Sequence, residues 1–188
     1  TFSFSKLYVE NQVQGALKDK ATTTLKIGYT DMKTTLGLAY TRLIPQNANI
    51  EATVNNLPYR EMADYLLKMI DKTNAPPTVL TELQQLLQKS GTYLTIQNSY
   101  LRAPDLDAAI NGRLNADAKA MKGISGKVIL TVKGLDAVIT KLQAEAAKPN
   151  ADPRLAQAAM SLTAMKMMSQ PTPSVTGDTT DGYVVEIA

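Results

Sequence analysis

The run Ala48-Asn49-Ile50-Glu51-Ala52-Thr53-Val54-Asn55-Asn56-Leu57-Pro58 alternates apolar and polar side chains, and the rhythm breaks at its end. Strict alternation is the period of a strand with one face turned to a core. Over 58–72 the apolar residues Met62, Tyr65, Leu66, Met69 and Ile70 instead recur at helical spacing, with Arg60, Asp64, Lys68 and Asp71 off that face. Pro58 suits the first turn of such a helix, where its missing N–H costs nothing. A strand running directly into an amphipathic helix is the unit from which the rest of the chain is read.

Upstream, Leu25, Ile27 and Tyr29 keep the same alternation, and Leu36, Leu38 and Tyr40 continue it. Phe2 and Phe4, then Leu7, Val9 and Val13, show it with one slip of phase, which predicts a β-bulge. Downstream, a second helix is predicted over 77–89, with Leu80, Leu83 and Leu87 inward and Gly91 as its left-handed cap. Strands return over 93–100, 110–120 and 127–133. Helices follow over 136–147 and 153–168, the second capped by Asp152. A Pro- and Thr-rich loop over 170–181 leads to a last strand at 183–187.

This order repeats. Thr53-Val54-Asn55-Asn56-Leu57 before the first helix pair resembles Thr131-Val132-Lys133-Gly134-Leu135 before the second, and Pro77 and Pro153 recur between the paired helices. The expected fold is α+β: a mainly antiparallel twisted sheet with two helix pairs, in two related strand-strand-strand-helix-helix halves. The halves run over 1–91 and 92–188, either as two units or as one continuous domain.

Composition removes whole mechanisms. The 188 residues include no Cys, His or Trp, so there is no thiol nucleophile, no imidazole base and no disulfide. Zinc, haem and iron–sulfur sites lose their usual ligands, and no metal or cofactor is expected. The net charge of +3 forms no basic stripe and aromatics make up only 5% of the chain, which argues against a nucleic-acid surface. No run approaches the ~20 apolar residues of a membrane span. The chain has neither an initiator Met nor a signal-peptide pattern at Thr1, so any targeting segment is expected outside it.

Three clusters remain as candidate sites. On the last helix Leu155, Ala158, Ala159, Leu162 and Met165 form one apolar face, while Met160, Ala164, Met167 and Met168 form another. A helix apolar on two faces is buried on both sides or offers one to a ligand or partner, and Met suits variable apolar shapes. Asp105 and Asp107, and Asp178 and Asp181, lie in turn-like segments. Turn chemistry explains them better than a calcium loop, whose twelve-residue ligand pattern is missing. Ser3 and Lys6 match S-x-x-K, but a strand places that spacing on opposite faces.

The stretches Gly91-Thr92-Tyr93-Leu94-Thr95-Ile96, Ala109-Ile110-Asn111-Gly112-Arg113-Leu114 and Gly126-Lys127-Val128-Ile129-Leu130-Thr131-Val132-Lys133-Gly134-Leu135-Asp136 resemble the bacterial envelope family called domain of unknown function 2125, and more distantly family 945. The resemblance implies a Gram-negative periplasmic protein, exported or anchored by a segment outside this chain, with no enzyme activity. Amphipathic sheets of envelope proteins often enclose apolar grooves, and by that analogy the expected function is non-enzymatic binding of a lipid or other apolar ligand between sheet and helices. The rival is a structural or protein-interaction domain that docks a partner through Met160, Ala164, Met167 and Met168. A carboxylate-dependent hydrolase ranks last.

Overall fold

The computed structural model describes residues 2–35, 41–70, 78–120, 123–172 and 182–187. Strands β1 (Phe2–Ser3), β2 (Lys6–Gln14), β3 (Ala21–Thr30), β4 (Lys33–Thr34) and β5 (Asn47–Leu57) lead into helices α1 (Tyr59–Ile70) and α2 (Thr78–Ser90). Strands β6 (Tyr93–Arg102), β7 (Asp107–Ala116) and β8 (Ile124–Lys133) lead into α3 (Leu135–Ala146) and α4 (Pro153–Met167), and β9 (Gln170–Thr172) and β10 (Gly182–Ile187) follow. The fold is α+β with two helix pairs. Among the described residues, eight strands form one sheet in the order β2-β3-β5-β6-β7-β8-β10-β9, with every neighbouring pair antiparallel. The sheet therefore runs unbroken from the first run of strands into the second through the β5–β6 pairing.

The strand-to-helix junctions explain why the repeated motif carries the residues it does. Asn56, next to last in β5, has φ 55° and Gly134, just after β8, has φ 80°, so both junctions pass through the left-handed region that Gly and Asn tolerate best. At Gly134 a Cβ would lie 2.5 Å from the Asp105 carbonyl oxygen, which excludes any larger residue. Leu135 then enters the core fully buried, with Val138 and Leu142 one and two turns on. Leu106, Leu130, Leu162 and Met165 pack around these residues, as do Leu155 and Ala158.

Cross-strand register decides which residues share the core face. Ala108 opposes Val132, and Tyr183 opposes Val132 from the other side, so the α3–α4 pair covers the β7–β8–β10 part of the sheet. The same face continues through Leu101 and Ala48 to Tyr29 and Leu7. Eight strands at about 4.8 Å spacing span roughly 34 Å, whereas two helices about 10 Å apart cover roughly 20 Å. α2 rests against β5 and β7 near the end of the sheet where Lys20 Nζ donates to the Ser90 carbonyl at 2.6 Å. Among the described residues, the β2–β3–β5 part of the apolar face is left open at Val9, Ile27 and Ile50.

A polar clamp fixes α3 and α4 to β10, next to the edge strand β9. Asp136 accepts hydrogen bonds at 2.5 Å from both the Lys166 ammonium and the Tyr183 hydroxyl, joining the start of α3, the end of α4 and β10. The hydrogen bond from Lys166, then that from Tyr183, holds the Asp136 carboxyl below its ordinary range. A depressed carboxylate contributes stability that is present above its unfolded pKa, near 4, and is lost as pH falls through the folded value. Asp136→Asn is expected to cost about 1 kcal/mol at pH 7. In urea titrations the difference from wild type should shrink below about pH 4, and a pH-independent difference would contradict the clamp.

Several expectations change. Phe2 and Ser3 do not join β2 through a bulge; they leave the main sheet and pair with Thr34 and Lys33. The strand foreseen over 110–120 stops at Ala116, because Asp117 Oδ1 accepts the Lys119 N–H and turns the chain. The loop foreseen over 170–181 begins with β9, where Pro171 is tolerated because β9 is an edge strand. The continuation through Leu36, Leu38 and Tyr40, and the Asp178/Asp181 turn, lie outside the described residues.

Candidate functional site

The open part of the sheet presents a row of large apolar side chains to solvent. Val9 opposes Ile27, and Ile27 opposes Ile50. These three are 67%, 42% and 56% exposed. Leu7, Val13 and Leu25 lie on the same face of these strands and are exposed as well. Direct opposition across three strands makes the row contiguous, since neighbouring strands lie about 4.8 Å apart. Scattered surface apolar residues are ordinary in soluble proteins, but a continuous apolar patch marks an interaction surface.

The second apolar surface belongs to α4. Its first face, Leu155, Ala158, Ala159, Leu162 and Met165, packs into the core. Its second face does not: Met160 is 73% and Met167 81% exposed. Met160, Ala164 and Met167, with Ala156 on the same helix, line an open groove of about 540 Å³ between α3 and α4, with Gln143, Ala146 and Ala147 opposite. Met168, also exposed, caps the helix just beyond it. The structure thus brings three of the four singled-out residues together around one groove and sets the fourth beside it. Between α3–α4 and the sheet, Leu135, Val138 and Leu142 fill the space where the apolar ligand was foreseen.

The opposite face of the sheet is polar and ordered. Glu51, buried in β5, accepts hydrogen bonds from Gln97 Nε2 at 3.1 Å and Asn98 Nδ2 at 3.3 Å and faces Lys26 at 3.4 Å. Burial pushes the Glu51 carboxyl up, but those hydrogen bonds and the Lys26 charge outweigh it and hold it below the usual carboxylate range. Tyr8 donates to Asn49 at 2.8 Å, and Arg113 and Arg102 stack on Tyr93 and Tyr100. A bulge in β6 accommodates this network: the register shifts against both neighbours near Gln97 and Asn98, and Asn98 has φ 50°.

Of the remaining candidates, Asp105 serves the fold. Asp105 accepts a two-pronged pair from Arg42, at 2.9 and 2.7 Å, and a third bond from Lys141 at 3.1 Å, so its carboxylate ties a turn to α3. Asp107 lies on β7, 3.8 Å from Arg102. Ser3 and Lys6 fall on different strands, with the Lys6 ammonium over the Tyr8 ring. Among the described residues no group of three or more Asp or Glu side chains could hold a metal ion, and no helix is long and apolar enough to cross a membrane. The open row at Val9, Ile27 and Ile50 was missed as a site because alternation marks an apolar face without saying whether anything covers it.

No curated protein and no solved structure matches the chain. A family model matches residues 11–178, most of its length and both runs of strands and helices described above. The chain belongs to the bacterial family described as uncharacterized protein conserved in bacteria, DUF2125.

Proposed function

We propose that this chain is a non-enzymatic protein of the Gram-negative periplasm that binds a lipid or another apolar ligand. The observation that carries the reading is the uncovered row at Val9, Ile27 and Ile50. The seat is this open stretch of the core face, beside the part that α3 and α4 already fill. Placing an acyl chain along it removes apolar surface from water at about 25 cal/mol per Å², with no polar group of the strands left unpaired. The absence of Cys and His from the sequence and the apolar lining favour binding over catalysis. The envelope setting, with an export or anchoring segment outside this chain, rests on the family resemblance.

Protein isolated without detergent and extracted for mass spectrometry should carry lipid in about stoichiometric amount. The Ile27→Asp/Ile50→Asp double variant, altered only at exposed positions, should fold and carry none. Lipid-free wild-type protein, or lipid retained by the double variant, would contradict the reading. A second reading is favoured by the exposed Met160 and Met167 groove, which suits a protein partner that inserts an apolar helix or loop between α3 and α4.

A further inference from the structure

We infer that the polar face of the sheet carries a second, separate binding site, for a neutral saccharide ring. A hollow of about 440 Å³ lies over β6, β7 and β8. Register explains its shape. Tyr100, Ala109 and Thr131 lie opposite one another across the three strands, as do Arg102, Asp107 and Lys133. Ala109, the small residue in the middle, forms the floor, and the longer side chains of the neighbouring strands form the walls. The bulge at Asn98 bounds one end.

The walls offer hydrogen-bonding groups that the protein does not use. Among the described residues the side chains of Asn111, Thr131 and Lys133 have no hydrogen-bond or ion-pair partner, and neither does the Tyr100 hydroxyl. Arg102 stacks on the Tyr100 ring at 4.3 Å and reaches Asp107 only at 3.8 Å. A ligand here meets a carboxylate that only accepts, an ammonium and a guanidinium that only donate, and an amide and two hydroxyls that do both. A simple anion would face Asp107, and a cation would face Arg102 and Lys133. An apolar molecule would cover the four unpartnered groups, Asn111, Thr131, Lys133 and the Tyr100 hydroxyl, without satisfying them, at about 1–3 kcal/mol each. A ring of hydroxyls satisfies all of them, because each hydroxyl both donates and accepts. Across three strands the hollow measures about 10 Å, room for a single ring.

Saturation-transfer NMR of the wild-type chain with glucose, mannose and N-acetylglucosamine as separate probes tests this. Transfer to the ring protons of at least one sugar is expected. Asp107→Ala should weaken that binding about tenfold, and Ala109→Leu, which fills the floor, should abolish it. Circular dichroism melts check that both variants fold, and Asn111→Ala provides a third position should either melt early. Transfer to none of the three sugars, transfer unchanged in the variants that fold, or displacement of the sugar by inorganic phosphate would overturn the site. None of these outcomes depends on the apolar face, which lies on the other side of the sheet.

Discussion

Leu135→Ala is expected to lower the unfolding free energy by about 3 kcal/mol. Leu135 is fully buried directly after the left-handed turn at Gly134 and packs against Val132 and Ile139, with Leu106, Leu130 and Leu162 around them. Truncation removes the transfer free energy of the lost carbons and leaves a cavity that the neighbouring strand and helix cannot fully close. Among the described residues the fully buried side chains are few, with Leu142 and Val138 the other large ones, so no second core compensates. Urea denaturation measures the effect as a lower midpoint at unchanged slope. A loss below about 1 kcal/mol would mean that α3 is not seated on β8 as described.

Gly126→Ala is expected to cost about as much through the backbone. Gly126 opposes Leu114 in the β7–β8 ladder with φ +147°. A Cβ there would collide with the Arg113 carbonyl oxygen and come within 2.9 Å of the Leu114 Cα. Neither is the far end of a flexible side chain. The variant must move a central strand or give up this pairing, at about 3 kcal/mol. For a chain of this size that lowers Tm by roughly 6–12 °C. A shift under about 2 °C would show that β8 can leave this register without loss.

The two variants also mark where sequence is a good guide to this fold. The alternation from Ala48 to Leu57 and the helical spacing after Pro58 follow from backbone geometry, so β5 and α1 fall where periodicity puts them. Asp152 caps α4 by accepting the Arg154 N–H, because its side-chain oxygen reaches an orphan donor whatever the tertiary setting. The repeated Asn56-Leu57 and Gly134-Leu135 junctions are legible for the same local reason, a left-handed residue between strand and helix. The end of β7 at Ala116 was not, since alternating alanines carry the strand period past Asp117, where the side chain's hydrogen bond to the Lys119 N–H turns the chain.

The candidate site was legible only by half. Met160, Ala164 and Met167 stand out by spacing alone, and they line one groove. Val9, Ile27 and Ile50 look like ordinary core positions, and their exposure is set by residues far away in the chain: α3 and α4 cover the β7–β8–β10 end of the sheet and stop. Likewise the hollow over Ala109 exists because Tyr100 and Thr131 happen to oppose it from separate strands. No local pattern encodes a register between distant segments. The family model spans most of the chain but describes no site, so the surfaces themselves carry the functional reading.

The proposed seat of an apolar ligand can be tested directly because the sequence contains no Cys. Ile27→Cys and Met160→Cys each give a single thiol, one on the open sheet face and one in the α3–α4 groove, for labelling with a polarity-sensitive fluorophore such as acrylodan. On titration with oleate, the label at position 27 should shift its emission to the blue and saturate, while the label at position 160 stays unchanged. A saturable shift at position 160 alone, or no shift at either position, would contradict an apolar ligand held on the β2–β3–β5 face.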